Sequence, residues 1–362
     1  MRVLLVSHPP LTATLGAAQI ALHLAAGLRE LGHDAVALSP APLPPGPHWF
    51  SWLQQRRVLD RLVAEQGPFD VIDTPAISAT PALARAGRLV VRSIQPELCY
   101  LRDDILGELR RRPVPSPRAL AHATLAAPRA GAILAGWRRA RKILCLGSRE
   151  QAWMRRRFPS WAAKTGFYVC APAQEERPAL AAVRRRRPEQ PPGPGLRFLW
   201  LGRWAGHKGT GRLLRFLAER LAAHPDDVCT VAGCGPAAER ALPAAWLRAG
   251  RVRLIPSYAR AELPALLAAH DAGLFTSTVE GWGLSLNEML ESGLPVFATP
   301  AGAVDDLRPY FPASLRPFPP PARIEPAPRE DLEANGYFAR FAWSAIARDY
   351  ERQALAPGGG PP

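Results

Sequence analysis

The chain has 362 residues, of which 48% are hydrophobic, and it carries a formal net charge of +15. It is too long for one ordinary hydrophobic core and has enough apolar residues for two. The charge brings nucleic acid, an anionic membrane and acidic substrates into consideration. Because a bias toward Arg, Pro and Ala runs along the whole chain, and neither an aromatic RNA-binding motif nor a zinc-finger spacing is present, we expect no nucleic-acid partner.

The first half of the chain predicts repeated βα units. Continuous apolar runs predict buried parallel strands at residues 2–7, 35–38, 70–73, 89–93, 142–146 and 166–169. Apolar residues at helical spacing predict helices at residues 22–31, 53–66, 77–86 and 149–158. This alternation predicts a doubly wound sheet, whose ligands bind beyond the carboxyl ends of the strands, where Ser7, Gly16 and Ser93 lie.

A break separates two such halves. Residues 171–195 predict a linker, because Arg184–Arg187 precede a Pro/Gly-rich run. The alternation then restarts with strands at 196–201, 228–232, 252–255, 272–275 and 296–299 and helices at 211–223, 237–247 and 260–269. Residues 309–328 are proline-rich and predict irregular structure, and a last helix follows at 337–354.

The predicted domains follow from this pattern. The first is 1–170 together with a C-terminal crossing helix at 336–355, and the second is 171–335. Residues 356–362 predict a flexible Gly/Pro tail.

Residues 277–295 predict a strand end, a glycine-bearing turn and the start of a helix near residue 284. This geometry points free backbone N–H groups and the positive end of a helix at one place, which favours an anion such as a phosphate. Glu280 lies on the turn and Glu288 lies in the helix. One carboxylate can therefore reach a ligand from the loop while the other binds hydroxyl groups beside it.

The loop after the first strand of the second half carries Arg203 and Lys208, five residues apart and among glycines. A guanidinium offers a planar fork and an ammonium a mobile point charge, so the pair suits a diphosphate. Lys208 is one of three lysines in a chain that otherwise uses arginine. This rarity favours a specific role for Lys208.

Both stretches also have a structural alternative. Ser285 and Glu288 fit a capping box, in which the glutamate satisfies an amide at the helix start. Gly281 and Gly283 fit an ordinary turn. The loop that carries Lys208 could be a solvated surface loop.

Taken in order, these motifs resemble the large family of retaining glycosyltransferases of GT-B fold known as family 4. The resemblance covers nearly the whole chain and is strongest from Leu201 to Thr299. It implies an α/β protein with two Rossmann-like domains whose parallel sheets face each other across a cleft. The matching segments are Gly16, Gly202–Arg203, Lys208–Gly209, Val231–Pro236, Glu280–Glu288, Ser292–Val296, Phe341–Trp343 and Tyr350.

The resemblance implies a retaining hexosyltransferase that moves a sugar from a nucleoside-diphosphate sugar to an acceptor. In this family pattern Arg203 and Lys208 would neutralise the leaving diphosphate, and Glu280 would face the donor sugar. Positive charge develops on the anomeric carbon as the bond breaks, so a carboxylate and two cations stabilise the opposite ends of the reacting bond. With these groups present, the resemblance implies neither a metal ion nor a cofactor besides the donor substrate.

The same resemblance assigns residues to donor binding. Glu288 would bind the ribose hydroxyls, and the turn at Gly16 would lie near phosphate. Backbone amides of the turn before the helix would contact sugar or phosphate, and they belong to Gly281, Trp282, Gly283 and Leu284.

The chain departs from the family pattern in three places. The usual early Gly-Gly turn is Gly16-Ala17, which has less backbone freedom. The strand that ends at Arg92 lacks the histidine of many relatives, so Arg92, Gln95 and Glu97 become candidates for the acceptor side, with ordinary polar loop residues as the alternative. Residues 303–323 look shortened, which brings into question whether the chain is active.

Two further hypotheses follow. The departures favour a catalytically inactive subunit that binds a nucleotide or a partner. Arginine clusters at 110–112, 138–141 and 155–157 would allow peripheral contact with an anionic membrane, although such runs are more often solvated helix faces in an arginine-rich chain. Five scattered cysteines without a C-x-x-C pair indicate reduced thiols and a cytoplasmic location, with the inner face of the membrane as a variant. The nucleotide base, the sugar, the acceptor and the oligomeric state are not predicted.

Overall fold

The computed structural model describes residues 1–12, 16–44, 50–110, 117–187, 195–325 and 328–356. Contacts divide the chain into two units, Met1–Ala171 with Ala339–Pro362, and Pro172–Phe338. Several sequence features fall outside the described residues: Thr14 and Leu15 of the early turn, Arg111 and Arg112 of one arginine cluster, residues 188–194 of the predicted linker and residues 357–362 of the predicted tail.

The first unit is built on a six-stranded sheet with strand order β2-β1-β3-β4-β5-β6. All paired strands are parallel, as the buried apolar runs predict. The strands are β1 (Arg2–Val6), β2 (Asp34–Leu38), β3 (Val71–Thr74), β4 (Arg88–Arg92), β5 (Lys142–Leu146) and β6 (Thr165–Tyr168). The helices are α1 (Gly16–Glu30), α2 (Ser51–Gln66), α3 (Pro81–Ala86), α4 (Glu97–Arg110), α5 (Pro117–Arg139) and α6 (Ser148–Arg157), with 3₁₀ helices at Ala76–Ser78 and Pro159–Lys164.

The second unit repeats this architecture with a sheet of order β12-β11-β10-β7-β8-β9, again parallel throughout. The strands are β7 (Arg197–Leu201), β8 (Val228–Ala232), β9 (Val252–Ile255), β10 (Ala272–Phe275), β11 (Val296–Ala298) and β12 (Leu315–Pro317). The helices are α7 (Arg177–Arg186), α8 (Thr210–Ala223), α9 (Ala237–Ala241), α10 (Ala244–Arg248), α11 (Leu263–Ala268), α12 (Leu284–Glu291) and α13 (Val304–Leu307), with 3₁₀ helices at Gly206–Lys208 and Arg260–Glu262. None of the helices in the described ranges combines the length and apolar character needed to cross a bilayer.

The C-terminal segment belongs largely to the first unit. The predicted single helix is interrupted: α14 (Tyr337–Arg340) and α15 (Trp343–Tyr350) are separated by Phe341, which is buried, and by Ala342, whose backbone is extended. A π-helical turn, Glu351–Leu355, follows. Helix α15 lies so close to α1 that a Cβ on Gly27 would be 2.7 Å from the Cβ of Ala347.

Two other predicted segments differ from the structure for local reasons. The helix predicted at 237–247 is two helices, because Pro243 has no N–H for the helical ladder. The segment predicted as irregular contains strand β12, which pairs with β11 at the edge of the sheet. An edge strand tolerates Pro317, since its missing N–H removes no ladder bond on the outer side.

Helix α7 occupies much of the predicted linker, and its arginines anchor it to the second unit. Arg184 donates to the carbonyl oxygen of Leu290 at 3.1 Å, and Arg187 donates to those of His270 and Leu267, both at 2.7 Å. Arg177 forms an ion pair with Glu291 at 2.9 Å. Part of an arginine run that looked like linker sequence therefore holds structure: Arg184 and Arg187 find backbone acceptors, whereas Arg185 and Arg186 are exposed.

A buried ion pair joins the strands of the first unit to α15. Arg92 and Asp73 are both fully buried, and Arg92 Nε lies 2.8 Å from Asp73 Oδ1. The hydroxyl group of Tyr350 donates to Asp73 Oδ2 at 2.7 Å. Removing one member of such a pair leaves an uncompensated charge in a region of low dielectric constant.

We predict that Arg92→Leu lowers the free energy of unfolding of the first unit by at least about 3 kcal/mol, because it leaves the buried Asp73 carboxylate without its cationic partner. Tyr350→Phe, which removes one hydrogen bond and keeps the ion pair, should cost about 1 kcal/mol. Urea denaturation followed by circular dichroism measures both. Equal losses in the two variants would contradict a structural role for the ion pair.

Candidate active site

The predicted donor-binding residues gather at one edge of the second sheet. Because β7 to β11 are all parallel, their carboxyl ends lie at the same edge, which is where α/β sheets bind ligands. The loop after β7 carries Arg203 and Lys208, and the loop after β10 carries Glu280. Helix α12, which follows that loop, carries Glu288.

The loops after β7 and β10 meet through their backbones at Gly209. Gly209 has φ +70°, and a Cβ there would lie 1.8 Å from the carbonyl oxygen of Thr276. The Thr276 hydroxyl group donates to the carbonyl oxygen of Lys208 at 2.7 Å and accepts from Trp200 Nε1 at 3.0 Å. Only glycine permits this approach, so Gly209 fixes the position of Lys208 relative to the β10 loop.

Lys208 and Glu280 form an ion pair across the two loops. Lys208 Nζ lies 2.5 Å from Glu280 Oε2, and the Ser277 hydroxyl group donates to the same oxygen at 3.0 Å. The two side chains keep 17% and 10% of their accessible surface. Arg203 is exposed and pairs with no acidic group in the described part of the chain, so its guanidinium is available to an anion.

Helix α12 begins at Leu284, directly after Gly283, which has φ +86°. The amides of Leu286 and Asn287 bond to the Gly283 carbonyl oxygen at 2.9 and 3.3 Å, which leaves those of Leu284 and Ser285, at the helix start, to bind an anion. The indole of Trp282 is buried and donates to Asn287 Oδ1 at 3.0 Å. The backbone of Trp282, and not its indole, can therefore face a ligand, as can the backbone of Gly281.

The capping-box alternative does not describe this helix. The N-cap residue is Gly283 and not Ser285. Glu288 is buried and forms an ion pair with Arg260 at 2.6 Å. Burial raises the pKa of the Glu288 carboxyl group, and Arg260 opposes that shift.

Sequence reasoning missed the groups that hold Glu288. Arg260 also bonds Glu176 through Nε at 2.8 Å, so one guanidinium connects two carboxylates. Tyr258 lies next to them: burial, with the charge of Glu288 as a second cause, raises its pKa to about 12. The position of Tyr258 and Arg260 just beyond the end of β9 is the signal that could have found them, whereas Glu176 lies in the segment assigned to a linker.

The site residues predicted in the first unit, Gly16 for the donor and Arg92, Gln95 and Glu97 for the acceptor side, lie in different environments. Gly16 is the first residue of α1 and is half-buried. Gln95 is exposed just beyond the end of β4. Arg92 is buried in the ion pair with Asp73, so contact with an acceptor would require that pair to open.

Glu97 stands beside a second carboxyl group at the carboxyl edge of the first sheet. It accepts hydrogen bonds from the amides of Ala76 and Ile77 at 3.0 and 3.1 Å. Glu150 accepts from the Ser93 hydroxyl group at 2.8 Å and from the Leu146 amide at 2.7 Å. Burial is the main cause that raises the pKa of each glutamate to about 7, and the charge of Glu150 adds to the shift of Glu97.

Two α/β units, each built on a parallel sheet, define the fold class of the protein. Over 98% of this chain and 94% of the other, the structure is similar to the sucrose-phosphate synthase of Thermosynechococcus elongatus, with a TM-score of 0.63 and 16% identity. It is also similar to Anabaena HepE in complex with UDP-glucose, with a TM-score of 0.53 and 16% identity over 98% and 95% of the two chains. The fold is that of the GT-B glycosyltransferases, as the sequence predicts.

The sequence comparisons agree with the fold. Residues 195–309 match the family described as Glycosyl transferases group 1. An uncharacterized glycosyltransferase of Bacillus subtilis, YqgM, is 29% identical over 132 residues, which are 36% of this chain and 37% of that protein. The match thus spans about a third of the curated relative. The resemblance to glycosyl transferases of group 1 is confirmed.

We predict that Gly209→Ala destabilises the second unit by about 1–3 kcal/mol, because alanine is strained at φ +70° and its methyl group would overlap the Thr276 carbonyl oxygen. The matched control is Gly211→Ala in the first turn of α8, where a Cβ meets nothing within 4 Å and a small gain is expected. Thermal unfolding measures the difference. Similar melting temperatures for the two variants would contradict the backbone contact.

We predict a pH dependence of stability from Glu97 and Glu150. Their pKa values are about 7 in the folded protein against an ordinary value of 4.5, so between these pH values the folded state binds more protons than the unfolded chain. The free energy of unfolding should therefore fall as the pH rises from 4.5 to 7, by at least about 1 kcal/mol. Urea denaturation at several pH values should give a flatter profile for Glu97→Gln/Glu150→Gln, and parallel profiles would refute the shift.

Proposed function

We propose that the protein is a glycosyltransferase that moves a hexosyl group from a nucleoside-diphosphate sugar to an acceptor, with net retention of configuration and without a metal ion. The observation that carries the proposal is the Lys208–Glu280 ion pair at the carboxyl edge of a parallel sheet, with the exposed Arg203 on the same loop as Lys208. Two cations and a carboxylate at this edge match the charges that develop when a glycosyl–phosphate bond breaks.

In this proposal Lys208 serves both ends of the reacting bond. An ammonium group has three N–H donors, so Lys208 can keep its bond to Glu280 and also donate to a phosphate oxygen. Arg203, which is exposed, would bind the diphosphate as a fork. Glu280 would then lie beside the anomeric carbon, where a negative charge stabilises the developing positive charge.

Glu288 is proposed to bind the ribose. Arg260 bonds its Oε1 atom, which leaves Oε2 for a ribose hydroxyl group. Arg260 would keep the Glu288 carboxyl group ionised despite its burial, so that it acts as an acceptor. Amides at the start of α12, from Gly281 to Leu284, would bind sugar or phosphate, and Gly16, Gln95 and Glu97 remain predictions for the first unit.

Two observations support the choice of donor and of compartment. HepE, which shares the fold, binds UDP-glucose, so a uridine donor is the first to test. The described cysteines are all free, which suits a reducing cytoplasm.

The test is transfer or hydrolysis from a panel of UDP-, GDP- and ADP-sugars, with the released nucleoside diphosphate measured by chromatography. We expect turnover with at least one donor, and Lys208→Ala and Glu280→Ala should each lower kcat by about 100-fold or more. The controls remove the same types of side chain elsewhere: Lys142→Ala lies in the first unit, and Glu219→Ala lies in the C-terminal half of α8, away from the carboxyl edge. Both should change little.

Unchanged turnover in Lys208→Ala and Glu280→Ala would refute their roles. Binding of a nucleoside diphosphate in calorimetry, without turnover of any donor, would instead support the inactive subunit.

A further inference from the structure

The positive charge of the chain is concentrated in one segment, contrary to the even spread expected from composition. From Arg110 to Gln174 there are 14 Lys or Arg residues and one acidic residue, Glu150. This segment carries +13 of the formal net charge of +15, so the remainder of the chain is nearly neutral. A local cause is therefore needed for the charge, because a general arginine bias would not reduce the acidic residues to one in 65 consecutive positions.

Five arginines of this segment are exposed at the amino edge of the first sheet. Arg138 ends helix α5 with its neighbour Arg139, and Arg141 directly precedes β5. Arg155, Arg156 and Arg157 form the last turn of α6. Since both helices run opposite to the strands they connect, their C-terminal turns lie at the same edge. We call Arg138, Arg141 and Arg155–Arg157 the cationic surface.

Direct contacts show that the parts of the cationic surface are neighbours. Lys164 Nζ donates to the carbonyl oxygens of Trp137, Arg138 and Ala140 at 2.7, 3.1 and 2.8 Å, which ties the 3₁₀ helix after α6 to the end of α5. Burial, and after it the charge of Arg155, lowers the pKa of the Lys142 ammonium group. Arg155 donates to the carbonyl oxygen of Thr165 at 3.1 Å, and Thr165 pairs with Ile143 of β5, so the end of α6 lies beside the start of β5.

Half-buried aromatic rings lie among these cations. Trp153, Phe158 and Trp161 pack on one another and on the buried Trp137, with ring centroids 5.2 to 6.0 Å apart. Arg157 lies over Phe158 at 5.7 Å and Lys164 over Trp161 at 5.8 Å. Large rings with one apolar face and one wet edge, next to arginine, are typical of surfaces that enter the headgroup region of a bilayer.

The cationic surface is not neutralised within the described residues. Among its members Arg155 donates to a backbone oxygen, that of Thr165, at 3.1 Å, and none forms an ion pair with a described acidic group. Glu150 lies at the opposite end of α6, buried against Ser93. Five like charges held together cost self-repulsion, which an anionic partner would relieve.

We propose that the cationic surface binds the anionic headgroups of a lipid bilayer. Charge complementarity would supply the affinity, and the aromatic rings favour a lipid interface over a soluble polyanion, which has no apolar boundary for them to enter. The ends of α5 and α6 place these charges at the same edge of the sheet.

The location of this surface has a consequence for the acceptor. Strand β5 has five residues and spans about 17 Å, so the cationic surface lies at the far end of the sheet from Gln95 and Glu97. Docking there leaves the carboxyl edge of the first sheet uncovered. The surface would hold the protein at a membrane while that edge stays accessible from water.

The experiment is flotation of the full chain with vesicles of phosphatidylcholine alone or with 30% phosphatidylglycerol. The test variant replaces the cationic surface with glutamine: Arg138, Arg141, Arg155, Arg156 and Arg157. The control variant makes the same charge change at exposed arginines elsewhere: Arg29, Arg57, Arg215, Arg240 and Arg248. Circular dichroism and thermal unfolding verify that both variants are folded.

We expect the wild type and the control to bind the anionic vesicles and not the neutral ones, with weaker binding at higher salt. Each removed charge should reduce partitioning about fivefold, so the test variant should bind at least about 100-fold less. Equal loss in both variants, or no binding of the wild type to anionic vesicles at 0.1 M salt, overturns the proposal. Binding to heparin or RNA without binding to vesicles also overturns it, in favour of a soluble polyanion.

Discussion

The approach of Gly209 to the carbonyl oxygen of Thr276 is the constraint on which the candidate site at the carboxyl edge of the second sheet depends. At 1.8 Å from a hypothetical Cβ, it brings two loops together through backbone atoms, which cannot move as a side chain can. The hydroxyl group of Thr276 then fixes the Lys208 carbonyl, and Lys208 meets a carboxylate that is 72 residues away in the chain. The cation and the acid are thus placed by main-chain geometry, which preorganises a charged site at little entropic cost.

The sequence predicted the elements that depend on local pattern. Buried strands, the two parallel sheets and the carboxyl edge follow from apolar runs and from the rules of βα connection, and the site residues Lys208 and Glu280 lie at that edge. A helix break that depends on a single residue, as at Pro243, was not predicted. The environment of charged side chains was also not predicted: Arg92 ends a predicted strand and Arg260 begins a predicted helix, but tertiary packing buries one against Asp73 and places the other between two glutamates.

In the first unit, the carboxyl groups with raised pKa values and the exposed arginines lie at opposite edges of the sheet. Ionisable groups with raised pKa values, Glu97 and Glu150, lie at the carboxyl edge, where the strand ends leave amides to bind them. The arginines lie at the amino edge, where helices end and exposed carbonyl groups favour cations. The βα architecture therefore gives the two edges of the sheet different electrostatic character. Substitutions that change the ligand bound at one edge can leave the other edge unaltered.

Helix α7 bears on how such enzymes exchange parts during evolution. Sequence similarity to the family starts at residue 195, yet the compact unit starts at Pro172 and includes α7. Without α7 and the Arg187 that follows it, Glu291 would lose the guanidinium of Arg177 in a buried position, and the carbonyl groups of Leu290, His270 and Leu267 would each lose an arginine donor. The segment that folds as one unit is therefore longer than the segment that matches the family. A recombination event that preserves this fold would have to join the two chains before α7.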